Sequence, residues 1–153
     1  MSIETTLSDL STNHATYGIT LYAPSTTQQI NEFETTLGLT LPDTFRRFYL
    51  FCNGFESAED MFRIIPLEEI AERKQDYEPN SFSIAEYMIY CDMWDVHLTP
   101  PDYTNYLISN TDIKYRALTT SFAEFLERFI VGGVFGKGGL YEWHAQVDLQ
   151  SHS

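Results

Sequence analysis

The run Ile30-Asn31-Glu32-Phe33-Glu34-Thr35-Thr36-Leu37-Gly38-Leu39-Thr40-Leu41-Pro42-Asp43-Thr44-Phe45-Arg46-Arg47-Phe48-Tyr49-Leu50-Phe51-Cys52-Asn53-Gly54 carries two helical patterns in tandem. From Thr27, the apolar residues Ile30, Phe33 and Leu37 recur at helical spacing, and Gly38 stands where a helix takes a left-handed cap. Pro42 then suits a first helical turn, and Phe45, Phe48, Tyr49 and Cys52 form an i, i+3, i+4, i+7 stripe that stops at Asn53-Gly54. Arg46 and Arg47 fall off that stripe, which predicts that they face solvent.

Working outward, the period changes from helical to extended. Tyr17 to Tyr22 alternates as a short edge strand does. Met61 to Ile65 is a short apolar run closed by Pro66, followed by a short helix over Leu67 to Lys74 with acids early and bases late. Phe82–Cys91, Trp94–Thr99, Thr104–Ser109 and Ile113–Leu118 are rich in β-formers and punctuated by Asp, Asn and Pro100-Pro101. No crossover helix of adequate length separates them, so the sheet is expected to be antiparallel. Ser121-Phe122-Ala123-Glu124 has the form of a capping box opening a helix lined by Phe122, Phe125, Leu126, Phe129 and Ile130, with Gly132-Gly133 ending it. Gly138 to His144 reads as a last strand, with frayed polar residues after it.

These segments predict an α+β fold: an antiparallel sheet of about five or six strands, two N-terminal helices, a short middle helix and a C-terminal helix packed around it. Residues 1–15, rich in Ser, Thr and Asn, are expected to be a loosely ordered N-terminal arm, and residues 16–153 one domain. With 153 residues, 43% of them hydrophobic and 15% aromatic, the chain can build a core without disulfides or a metal. Its two cysteines, Cys52 and Cys91, sit in apolar stretches, and no secretory leader is evident, so a cytoplasmic location is expected.

The formal charge is −13, from 22 acids against 9 bases. Between Glu56 and Asp102 lie 12 acids and 3 bases, so the middle third holds most of the field. Such a surface repels nucleic-acid phosphates and anionic lipid and accelerates encounter with a basic protein. The same charge serves solubility equally well; where it serves a partner, the expectation is a basic protein, with no direct nucleic-acid or membrane binding.

The spacing Ile30-x-x-Phe33-Glu34-x-x-Leu37-Gly38-x-x-Leu41-Pro42-x-x-Phe45-x-x-Phe48 through Asn53-Gly54 resembles the opening motif of the SUKH superfamily, which includes the yeast cell wall assembly regulator (Smi/Knr) proteins. Ile65-Pro66-Leu67-Glu68-Glu69-Ile70 and Ser121-Phe122-x-x-Phe125-Leu126 resemble later motifs of the same group, so the likeness runs over residues 27–130. Phe55 departs from it, standing where many members have a second glycine. The resemblance implies helices packed on one sheet and a bacterial immunity protein that binds and neutralises a cognate toxin, often a nuclease, without catalysis or cofactor. The alternative it leaves open is a regulatory scaffold that recruits an endogenous signalling or cell-envelope partner.

The partner-binding residues expected from charge and aromatic content are Glu56, Glu59, Asp60, Asp92, Trp94, Asp95, Asp102 and Tyr103. Trp94, ringed by acids, reads as an interface anchor, although core burial is the favoured reading of so large an apolar ring. Three other arrangements suggest chemistry less well. Gly132 to Gly139 has the composition of a phosphate loop, but the Walker register fails because Val131 and Gly138 stand where Gly and Ser or Thr are required. Asp92, Asp95 and His97 have no zinc or calcium motif around them, so no metal is expected. Neither cysteine sits in a setting that would activate it, and no catalytic residue is assigned.

Overall fold

The computed structural model describes residues 2–111 and 117–151, with side chains through residue 148. The elements are α1 (Ile3–Asn13), β1 (Ile19–Leu21), α2 (Thr27–Leu37), α3 (Asp43–Phe51), β2 (Phe55–Ser57), β3 (Phe62–Ile64), α4 (Leu67–Glu72), β4 (Ser81–Tyr87), β5 (Asp92–Leu98), β6 (Tyr106–Asn110), α5 (Phe122–Gly132) and α6 (Leu140–Ser151), with a 3-10 turn at Lys74–Asp76. The six strands form one antiparallel sheet in chain order, an α+β architecture as expected. The strand expected over Ile113–Leu118 lies largely outside the described residues, and Thr119 beyond it bridges Ile108.

Both helices of the opening run form where the spacing placed them. Thr26 and Gln29 make a reciprocal capping box at the start of α2, and Gly38 closes it in a left-handed conformation, φ +69°. Glu34 then ties the next connection: its Oε2 accepts the Leu41 amide at 2.7 Å while its Oε1 accepts Arg46 Nη1 at 2.8 Å. Arg46 is thus half-buried on a carboxylate rather than free in solvent, and Arg47 is exposed between Glu4 and Asp43. Asn53 does more than end α3. Its Oδ1 accepts the Leu67 amide at 3.0 Å, capping α4, whose own N-cap is Pro66 and supplies no side chain. Gly54 beside it, at φ +95°, lies so close to β3 that a Cβ would meet the Ile64 carbonyl oxygen at 2.3 Å.

The core is the layer between helices and sheet. Phe45 stacks on Phe122 with centroids 4.5 Å apart, and Phe62 on Phe129 at 4.1 Å, so α3 and α5 lock onto β2 and β3 through rings. Each such ring, removed from water, contributes roughly 1.5–3 kcal/mol. The Tyr49 hydroxyl, buried among them, donates to the Ile65 carbonyl at 2.7 Å.

Four expectations need correction. The N-terminal stretch expected as a loose arm is helix α1, capped by Ser2, with Ile3, Thr6 and Leu10 buried against α3 and α5. The expected final strand is helix α6, because Leu140, Trp143 and His144 are buried at i, i+3, i+4 spacing, a helical stripe with a histidine in it. β4 ends at Tyr87, so Met88 to Cys91 form a hairpin tip and Cys91 is exposed rather than packed. At α5, Ser121 Oγ accepts the Glu124 amide at 3.1 Å, but the Ser121 amide donates to Thr119 Oγ1 at 2.9 Å, the place that Glu124 would take in a full capping box.

Candidate functional site

Strand alternation divides the expected contact residues among separate places. Asp92 and Trp94, two apart on β5, point toward the helices, and Asp95 points the opposite way. Trp94 is fully buried among Phe62, Phe125, Tyr141 and His144, and its Nε1 donates to His144 Nε2 at 2.9 Å. Asp92 is buried beside it, where Oδ1 accepts the Met93 amide at 2.9 Å and Asn110 Nδ2 at 3.0 Å, and Oδ2 accepts the Tyr141 hydroxyl. Neither residue is a surface contact. They form a polar hub that seats α6 on the sheet, and burial holds the His144 imidazole neutral, with its pKa pushed down to about 4.

The remaining acids lie at three places. Glu56 is exposed on the face of the sheet away from the helices and accepts from the Tyr22 hydroxyl at 3.3 Å. Glu59 and Asp60 occupy the β2–β3 turn, where Asp60 Oδ1 accepts the Val134 amide at 3.4 Å. Asp102 and Tyr103 sit in the β5–β6 loop, at the end of the sheet where the Tyr103 hydroxyl donates to Asn80 Oδ1 at 3.3 Å.

The face of the sheet away from α3 and α5 reads across the strands in rows. Glu56, Arg63, Glu86 and Met93 form one, Ser83, Asp95 and Ser109 a second, and Ser81, His97 and Leu107 a third. In the first, Arg63 Nε donates to Glu86 at 2.8 Å and its other nitrogens reach Glu69 of α4, so this cation is neutralised twice. That guanidinium holds the Glu69 carboxyl below its usual range. Beside the other rows, Arg73, Asp76, Tyr77 and Glu78 from the β3–β4 connection wall a cleft of about 510 Å³ over Asp95 and His97. Burial raises the Asp95 pKa, and Ser83 Oγ donates to it at 2.6 Å.

His97 Nε2 lies 3.0 Å from Ser109 Oγ, which invites comparison with a nucleophile and base. The chemistry is not assembled. Asp95 is engaged by Ser83 instead of orienting the imidazole, and Ser109 is buried. Asp92 faces away from Asp95 and His97, so those three do not converge on an ion, and among the described residues no group of three or more His, Cys, Asp or Glu does so. Burial pushes the Cys52 thiol up to about 12, the opposite of activation. In the glycine loop, the Gly136 amide donates to the Gly132 carbonyl and the Gly139 amide to the Gly136 carbonyl, so these donors close the loop instead of cradling an anion. No helix among the described residues is long and apolar enough to cross a membrane.

Sequence reasoning missed one feature. Met61, Met88, Ile89 and Phe135 are all exposed, and they come from three connections that meet at one end of the sheet. The run Met88-Ile89-Tyr90 looks like strand interior by composition, and only the turn places it outside. The signal available was the charge and cysteine flanking it, Glu86 and Asp92 with Cys91.

The fold defines a class: an α+β domain with helices packed on one face of a meandering antiparallel sheet. A family model described as SMI1 / KNR4 family (SUKH-1) matches residues 24–128. The chain belongs to the SMI1/KNR4 (SUKH-1) family. No curated protein matches it.

Proposed function

We propose that this chain is a cytoplasmic immunity protein that binds and neutralises a cognate basic toxin, of nuclease type, through its acidic surface and without catalysis. Family membership supports the role, and the ion-pair pattern supports the mode. Arg46, Arg47, Arg63 and Arg73 each sit on a carboxylate of the chain itself. Glu59, Glu72, Glu78 and Asp102 stay exposed with no cationic partner among the described residues. The surface thus offers carboxylates to an incoming partner after these four arginines are used, and charge of this kind sets approach rate and selectivity. The carrying observation is the pairing of those four arginines within the chain.

The test is co-expression with the toxin domain encoded beside this chain's gene. The expected outcome is survival of the host and a stable complex on gel filtration. Continued killing with no complex, in cells that accumulate the folded chain, overturns the reading.

A further inference from the structure

The Met88 amide donates to the Met61 carbonyl at 2.9 Å, tying the tip of the β4–β5 hairpin to the β2–β3 turn. The α5–α6 loop closes on both. Gly133, at φ +60°, lies against the Asp60 carboxylate where a Cβ would come within 2.6 Å, and the Phe135 ring stands edge-on to Tyr87 with centroids 5.3 Å apart. On this shared end Ile89 is 82% exposed and Phe135 65%, with Met61 and Met88 beside them. Single exposed apolar residues are ordinary; four gathered from three connections are a patch of the kind that marks protein contacts.

The backbone adds an independent observation. Met88, Ile89 and Tyr90 follow one another at φ +53°, +52° and +64°, and Met61 sits at +54°. Left-handed turns are made most easily by Gly and Asn, and a β-branched residue is the least suited of all. Ile89 gains no burial within the chain to offset that conformation. Backbone strain of this kind clusters at ligand clamps and other functional sites.

We propose that Met61, Met88, Ile89 and Phe135 form the centre of the interface with a partner protein that presents an apolar pocket within a basic rim. This rests on the protein-binding reading above and places its contact. Charge selects the occupant: Glu59 and Asp60 flank the patch, Glu142 is exposed on the first turn of α6, and Lys137 is the one cation on the three connections. A second copy would bring a charge of −13 against −13, and anionic lipid is repelled likewise.

The substitution that tests it is Ile89→Gly, which suits φ +52° and removes the exposed side chain. The probe is a synthetic amphipathic peptide of leucine and lysine, with a leucine and glutamate peptide as control, followed by amide shifts in NMR titration. The expected result is saturable shifts at residues 58–61, 87–91 and 133–138 with the lysine peptide alone. Affinity should be at least tenfold weaker in Ile89→Gly, while its thermal midpoint is unchanged or higher. Shifts centred elsewhere, equal binding by the variant, or co-sedimentation with phosphatidylcholine vesicles that Ile89→Gly abolishes would each overturn the placement. A toxin that co-purifies with Ile89→Gly as well as with the wild type would overturn it too, and would leave the immunity reading standing.

Discussion

Trp94 and His144 show how one hydrogen bond binds two distant parts of the chain and makes stability depend on pH. The imidazole accepts from the indole, and burial, opposed by the nearby Asp92, lowers its proton affinity from the ordinary 6.5 to about 4 in the folded protein. The unfolded chain therefore binds the extra proton first, and stability present above pH 6.5 is lost progressively as pH falls toward 4. That difference corresponds to on the order of 3 kcal/mol. His144→Gln keeps an acceptor for the indole without the titration. Its urea midpoint, followed from pH 7 to pH 4.5, should fall less steeply than that of the wild type, and parallel slopes would refute the assignment. At this scale, composition picked out Asp92, Trp94 and Asp95 as a cluster, yet the two-residue period of a strand sends the first two inward and the third outward. Reading that division required knowing which face the helices cover.

Among the elements, α2 and α3 were legible because apolar residues alone mark their buried stripes. In α1 and α6 the stripes include Thr6 and His144, polar residues buried among apolar ones, and the pattern is lost to a hydrophobicity count. β2 was missed for a different reason: three residues are too few to show alternation. The correction at α1 is open to measurement. Leu10 is fully buried, so Leu10→Ala should cost roughly 2–4 kcal/mol in chemical denaturation, whereas a loose arm would give no change. Ser121 offers a milder case, since its Oγ is the side-chain acceptor at the start of α5. Ser121→Ala should cost about 1 kcal/mol, read from the same curves.

For the whole molecule, the charge of −13 acts at a distance while contact is made locally. Association with a basic partner should slow at least tenfold between roughly 20 mM and 300 mM salt, with dissociation little altered, because screening weakens steering more than it weakens a formed interface. Stopped-flow or surface-binding kinetics would show this, and a salt-independent on-rate would remove electrostatic steering from the account.

The helical pair, the antiparallel class and the family motifs were all legible in residue order, since each depends on spacing within a segment of the chain. So was the acidic bias, which is a sum over residues. The meeting of Met61, Ile89 and Phe135 at one end of the sheet is of another kind. It depends on the register of β3 against β4 and on a loop from α5 to α6 folding back onto Asp60, contacts between residues as many as 74 positions apart. Such proximity is created by chain folding and has no local signature, which is why this apolar patch emerged only once the strands were paired.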